Sequence, residues 1–212
     1  MNYLQFVYLV VLLALSEKIV CQKHDYIWLL GYDGIISMNV DTFGTTVLDF
    51  NNNLTIAKNK DIPYGMNSAN VTMSDANGNY LFSSNGVTIY DASHKIMKNA
   101  GILNTNDVGG YILPQGVLAL PHPRDSNLYA FFHGRKGGGI VWVTKTWYSE
   151  IDMRENEGLG AVTLMQPLVQ DTLRPGRFTA VKHGNGRDWW IIVEQNCQKK
   201  MDVGIIFFTP IF

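Results

Sequence analysis

The chain has 212 residues, of which 46 % are hydrophobic and 12 % aromatic, with 20 glycines. This composition is typical of a packed globular protein and excludes intrinsic disorder, collagen and coiled coil. The 17 basic and 18 acidic residues give a net charge of −1, which excludes the basic surface that binding to nucleic acid requires.

The first 21 residues have the pattern of a signal peptide. Residues 4–15 are almost wholly apolar. This length fits the core of a secretory signal, whereas a membrane-spanning helix needs about 20 residues. We expect cleavage before Gln22, with a cut near Ser16 as the alternative. A buried first strand or helix is the other interpretation. The prediction is a secreted or cell-surface protein whose mature chain has no transmembrane segment.

Residues 22–212 carry short β-rich runs and no clear helical periodicity. The runs are bounded by Gly, Asn, Asp and Pro, which supply turns, and they recur about every 8–14 residues. This spacing predicts an all-β domain. The predicted strands are 26–30, 35–40, 45–50, 79–83, 87–91, 117–120, 128–133, 140–147, 161–164, 179–182, 189–194 and 204–209.

Four segments share one layout, in which a polar turn is followed by an aromatic-rich strand, a second turn and a second strand. Tyr26, Tyr80, Tyr129 and Trp190 take equivalent places in them, about 50–60 residues apart. A repeat of this length is typical of a β-propeller blade, as in WD40-like repeats.

The length of residues 22–212 allows about three to four such blades, fewer than most closed propellers contain. We therefore expect a partial β-propeller that is the N-terminal fragment of a longer protein. A complete small β-sandwich is the alternative.

The densest polar and aromatic cluster lies at residues 183–190. Its candidate ligand-binding residues are His183, Asn185, Arg187, Asp188 and Trp189. In a functional interpretation Arg187 and Asp188 meet a ligand, and Trp189 offers a stacking face. In a structural interpretation the cluster forms a tight turn whose charged residues hold neighbouring blades together.

Two other motifs have a chemical and a structural interpretation. Residues 75–79 place oxygen-bearing side chains as a calcium loop would, but their spacing departs from the EF-hand pattern and favours an Asx-type turn. Residues 133–139 are glycine-rich and basic like a phosphate cradle, but the P-loop ending is missing, which favours a hairpin turn between two strands. No metal site, cofactor or catalytic residue is predicted.

Several strings follow one another in an order that resembles a known family. They lie at residues 110–116, 121–123, 148–153 and 158–162, and the most specific is Lys-His-Gly-Asn-Gly-Arg-Asp-Trp-Trp at 182–190. This order resembles the N-terminal propeller region of large secreted proteins of Bacteroidota, notably the Saprospiraceae-type family. Those proteins often end in a type IX secretion sorting domain. The resemblance implies a propeller fold and export, and it implies no particular chemistry.

Together these features predict a secreted or cell-surface scaffold or binding domain without catalytic activity of its own. Its partner is expected to be a protein or a glycan, met at the loop face of the blades. The alternative is a propeller-type polysaccharide hydrolase or lyase whose active site lies partly outside this chain.

Overall fold

The computed structural model confirms the all-β prediction. It describes residues 22–31, 45–51, 53–59, 61–66, 68–104, 110–137, 143–173, 178–194 and 203–208. Within these residues thirteen strands form four antiparallel sheets, and the one helical segment is a 3₁₀ turn at Asn156–Gly158. The signal segment 1–21 and the strand predicted at 35–40 lie outside the described residues.

Each sheet is a meander whose strands follow the order of the chain. Sheet 1 contains β1 (Ile27–Leu30), β2 (Thr45–Asp49) and β3 (Thr55–Asn59), and sheet 2 contains β4 (Val71–Ser74), β5 (Tyr80–Ser84) and β6 (Ile89–Asp91). Sheet 3 contains β7 (Val117–Pro121), β8 (Leu128–Lys136), β9 (Val143–Asp152) and β10 (Ala161–Leu173), and sheet 4 contains β11 (Thr179–Lys182), β12 (Trp189–Glu194) and β13 (Val203–Phe208).

Two strands and three strand ends were not predicted from the sequence. The strands are β3 and β4, while β8, β9 and β10 continue past their predicted ends. β10 contains Pro167, which lacks a backbone N–H, and the strand tolerates it because it lies at the edge of sheet 3.

The main core lies between sheets 2, 3 and 4 and is rich in aromatic side chains. Phe82, Tyr111, Phe131 and Phe132 are fully buried there, and Ile191 of β12 joins them. A smaller cluster seats sheet 1 against the start of sheet 2, with Leu29 of β1 packed among the buried residues Ile62, Tyr64 and Met66. Burial of apolar area on this scale is the main stabilising contribution to such a fold.

Hydrogen bonds join each sheet to the next along the chain. Between sheets 1 and 2, Leu29 N donates to Thr72 Oγ1 at 3.1 Å and Ser74 N donates to the His24 carbonyl at 2.9 Å. Between sheets 2 and 3 the connecting segment is held by Tyr111, whose N–H donates to the Asn85 carbonyl at 2.9 Å. Between sheets 3 and 4, the indole of Trp189 bonds to the β7 backbone, as described below. The four sheets therefore succeed one another in space as they do in sequence.

Candidate functional site

The polar turns that precede the four repeated strands meet at one cavity. The turn before β1 contributes His24, the β4–β5 turn contributes Ala76, the β7–β8 turn contributes residues 121–126, and the β11–β12 turn contributes Lys182 and Arg187. The cavity has a volume of about 360 Å³ and is called the turn cavity below. Since these turns are distant in sequence, the stacking of the sheets is what brings them together.

The turns themselves are fixed by Asp and Asn side chains that accept backbone N–H groups. Asp75 Oδ1 accepts the N–H groups of Asn77 and Asn79 at 2.8 and 2.9 Å. Asp125 Oδ1 accepts the N–H of Asn127 at 2.9 Å in the same way. These are Asx turns, in which a side chain stands in for a backbone acceptor. The Asx-turn interpretation of residues 75–79 is therefore confirmed.

The β11–β12 turn is closed by a compact polar network around Asp188. Asn185 Oδ1 accepts the N–H groups of Arg187 and Asp188, each at 3.0 Å. Arg187 binds the Asp188 carboxylate through two nitrogens, Nε at 2.9 Å and Nη2 at 3.1 Å. These bonds and the amide of Asn185 hold the pKa of Asp188 down at about 2. The carboxylate side chain is almost fully buried, and it fixes the guanidinium that lines the cavity.

Lys182 and Trp189 form the wall beside this turn. The Lys182 ammonium lies 3.9 Å from the centre of the Trp189 ring and donates to the Arg187 carbonyl at 3.2 Å. Burial lowers the pKa of Lys182, while Asp188 opposes that shift. The Trp189 indole N–H donates to the Pro121 carbonyl at 3.2 Å and so ties sheet 4 to sheet 3.

Two histidines line the cavity and are held in different tautomers when neutral. His24 Nδ1 donates to the Ser74 carbonyl at 2.8 Å, so its Nε2 carries a lone pair. His122 Nδ1 accepts the N–H of Arg124 at 3.3 Å, so its proton is on Nε2. Burial lowers the pKa of His122 and favours this neutral ring.

Asp125 supplies a carboxylate to the cavity lining. Its Oδ2 lies 3.1 Å from Arg154 Nη1, and Arg154 also binds Asp152 through Nε and Nη2. Asp125 is the one Asp or Glu among the described residues that line the cavity. A glycoside hydrolase of the usual kind needs two carboxyl groups on either side of the scissile bond.

The sequence candidates at 183–190 have divided roles. Arg187 lines the cavity, whereas Asn185 and Asp188 hold it in place from behind. Trp189 joins two sheets, and His183 packs its ring against Trp190 with the centres 5.4 Å apart. The tight turn of the structural interpretation is therefore observed, but the described bonds of Arg187 and Asp188 stay within that turn, and the bond between sheets comes from Trp189.

Sequence reasoning did not single out the residues that the other turns bring to the cavity. These are His24, His122, Arg124 and Asp125, and the candidates at 183–190 also left out Lys182 at the end of β11. The signal for them was the repeat itself, because most of them fall in or beside its polar turns. Comparing the four turns position by position would have grouped them.

The prediction of a hairpin turn at residues 133–139 is corrected in part by the structure. His133 to Lys136 belong to β8 and pair with β9, so these residues lie in a strand and not in the predicted turn, and residues 138–139 lie outside the described residues. The extended backbone at His133, whose side chain is buried, pairs with β7 and β9 and forms no phosphate cradle. β8 and β9 are antiparallel neighbours, as a hairpin requires.

Among the described residues no group of three or more His, Cys, Asp or Glu side chains is placed to hold a metal ion. No helix in the same part of the chain has the length and apolar character that crossing a membrane requires. No protein-family model, curated protein or solved structure matches this chain.

Proposed function

We propose that this protein is a secreted or cell-surface binding module, built on part of a β-propeller, whose ligand is a protein or a glycan. The observation that carries the proposal is the convergence of four sequence-distant turns on one cavity. Cavities of this size, with a few polar groups fixed by their neighbours, are typical of ligand sites. Because the described lining supplies one carboxylate, the geometry favours binding over glycoside hydrolysis.

The propeller is proposed from the arrangement of the sheets. Each sheet is an antiparallel meander, as a blade is, and Tyr80, Tyr129 and Trp190 all lie in the second strand of their sheets. Tyr26 departs from this rule, because it lies just before the first described strand of sheet 1. The proposal includes the resemblance to Bacteroidota propeller regions and export through a signal peptide at residues 1–21.

Sheet 1 supports the proposal that further blades exist in a longer protein. One of its faces packs against sheet 2 through Leu29, while the other exposes Trp28 and Ile56, with 45 % and 66 % of their surfaces accessible. Leu54, just before β3, is 52 % accessible. In a propeller each blade is covered on both faces. We expect an antibody against residues 22–212 to detect a native product well above 23.8 kDa in the producing cells. Residues 22–212 alone have a mass of about 21 kDa, at about 110 Da per residue. A native product of that mass would contradict the partial propeller.

The binding function is tested by filling the cavity. All 212 residues are expressed, the secreted product is purified, and it is applied to arrays of glycans and of extracellular proteins. Ala76 is exposed and lines the turn cavity, whereas its neighbour Asn77 is exposed outside the lining. We expect Ala76→Tyr to abolish binding of the ligand that wild type captures and Asn77→Tyr to retain it. Equal binding by both variants would place the ligand elsewhere.

A further inference from the structure

The turn cavity carries an excess of positive charge. Arg124, Lys182 and Arg187 line it, against the single carboxylate of Asp125. Arg187 is balanced by Asp188, and Asp125 is balanced by Arg154. Neither Arg124 nor Lys182 forms an ion pair with a described residue. Two positive charges therefore remain available to a ligand that enters the cavity.

Two of the three cations, Arg187 and Lys182, are held in place before any ligand binds. Arg187 is locked by its two bonds to Asp188, and Lys182 is held between the Trp189 ring and the Arg187 carbonyl. Arg124 approaches from the β7–β8 turn of the neighbouring sheet. Preorganised donors bind an anion with less loss of side-chain entropy, and charge-assisted bonds are stronger than neutral ones.

The rest of the lining is suited to hydroxyl groups. Asp125 accepts hydrogen bonds, and the neutral His24 ring has an acceptor at Nε2. A sugar hydroxyl can donate to these acceptors and can accept from the cations of the lining.

We propose that the turn cavity binds an acidic sugar, a hexuronate unit of a polysaccharide, with its carboxylate between Arg124 and Lys182. The cavity volume of about 360 Å³ lies at the small-ligand end of binding sites, which suits a saccharide unit better than a folded protein surface. This inference rests on the proposed binding function and names the chemical class of its ligand.

The test compares sugars that differ in a single group. D-glucuronate and D-glucose, and D-galacturonate and D-galactose, differ by the C6 carboxylate. Binding of each to the full chain is followed by NMR through the indole N–H of Trp189, which lies beside the cavity. We expect the uronates to bind at least tenfold more tightly than the neutral sugars, and the difference to shrink as salt is raised.

Variants tie this preference to the proposed residues. Arg124→Gln and Lys182→Gln are each expected to raise the dissociation constant for the uronates about threefold to tenfold. Lys95→Gln removes an exposed lysine that follows β6, outside the cavity lining, and is expected to leave the constant within twofold of wild type. Thermal unfolding of each variant confirms that the fold is retained.

The outcomes separate this inference from the proposed function. Equal binding of neutral sugar and uronate would overturn the acidic-sugar assignment while leaving a glycan-binding module. Acetate that competes as well as glucuronate would overturn the sugar and leave a carboxylate site. If no sugar shifts the Trp189 signal, the inference is wrong, and the array experiment with Ala76→Tyr decides whether the cavity binds a protein.

Discussion

His133 places an imidazole inside the largest sheet, among aromatic rings. It is 2 % exposed, and its ring lies parallel to that of Trp147 and close to that of Phe131. Burial, with a smaller contribution from the nearby Arg135 charge, lowers the pKa of His133 to about 4. The folded state therefore keeps this histidine neutral over a range in which the unfolded chain binds a proton.

This difference predicts acid sensitivity of the fold. Because the folded pKa is below the ordinary value of about 6.5, stability is full above pH 6.5 and falls as pH decreases toward about 4. The fall due to His133 is on the order of 3 kcal/mol. We expect His133→Phe to flatten this part of the profile, measured as the free energy of unfolding in urea at pH 7, 5.5 and 4.5. Parallel profiles for the two proteins would contradict a neutral buried His133.

Asp188 predicts a second effect of pH, in a lower range. The bonds from Arg187 and Asn185 hold its pKa at about 2, below the ordinary value of 3.8. Its contribution is therefore present above about pH 4 and is lost as pH falls toward 2. We expect Asp188→Asn to be less stable than wild type at pH 7 and to approach wild type near pH 2, as measured by thermal unfolding. If the difference in stability between wild type and Asp188→Asn were the same at every pH, the charge of the carboxylate would not contribute to stability.

At the scale of elements, glycines in two turns have the same backbone conformation but different surroundings. Gly86 has φ +79°, and a Cβ there would lie 2.8 Å from both Ala69 Cβ and Tyr111 Cβ. Gly186 has φ +70°, and a Cβ there would meet open space. The first turn is packed against Ala69, which precedes β4, and against Tyr111 in the segment that joins sheets 2 and 3, while the second turn lines the cavity.

This contrast predicts that replacing glycine by alanine reduces the unfolding free energy by different amounts at the two positions. Gly186→Ala has the cost of a left-handed backbone alone, about 1 kcal/mol. Gly86→Ala adds a steric clash in a packed region, and we expect about 3 kcal/mol or more. Denaturant unfolding of the two variants measures the difference. Equal losses of unfolding free energy in the two variants would mean that the residues around Gly86 move enough to accommodate a methyl group.

The sequence predicts the strongly apolar strands better than the short mixed ones. β11 and β12 match their predicted bounds, because β-branched and aromatic residues bounded by turn residues mark strand ends well. β3 and β4 were missed, since Thr55–Asn59 and Val71–Ser74 carry few large apolar side chains. Such strands are set by pairing with a neighbour, which a local pattern does not contain.

At the scale of the whole molecule, the site depends on how the sheets stack. Sequence spacing revealed the four polar turns and the cluster around Arg187. It did not predict that these turns meet at a cavity, nor that the cavity lining has an excess of positive charge. Arg124 and Lys182 lie far apart in the chain and line one cavity because neighbouring sheets present their first turns on the same side. That placement depends on packing between sheets, for which a single sequence carries no direct signal.

Trp189 is the point at which this stacking can be tested. Its indole N–H bonds to the Pro121 carbonyl across sheets 3 and 4, and its ring supports Lys182. Trp189→Phe keeps an aromatic ring and removes the donor, so we expect a loss of about 1 kcal/mol in unfolding free energy. We also expect faster hydrogen exchange at the amides of β11 and β12, because these strands are held to the rest of the molecule partly through this bond.

The comparison variant for this joint is Trp190→Phe on the same strand. Trp190 packs against His183 within sheet 4. If the Trp189 bond joins the sheets, Trp189→Phe accelerates exchange in β11 and β12 more than Trp190→Phe does, and it weakens uronate binding through the displaced Lys182. Equal exchange in the two variants would mean that sheet 4 is held by its apolar core contacts, such as those of Ile191, and that the cavity keeps its shape without the indole bond.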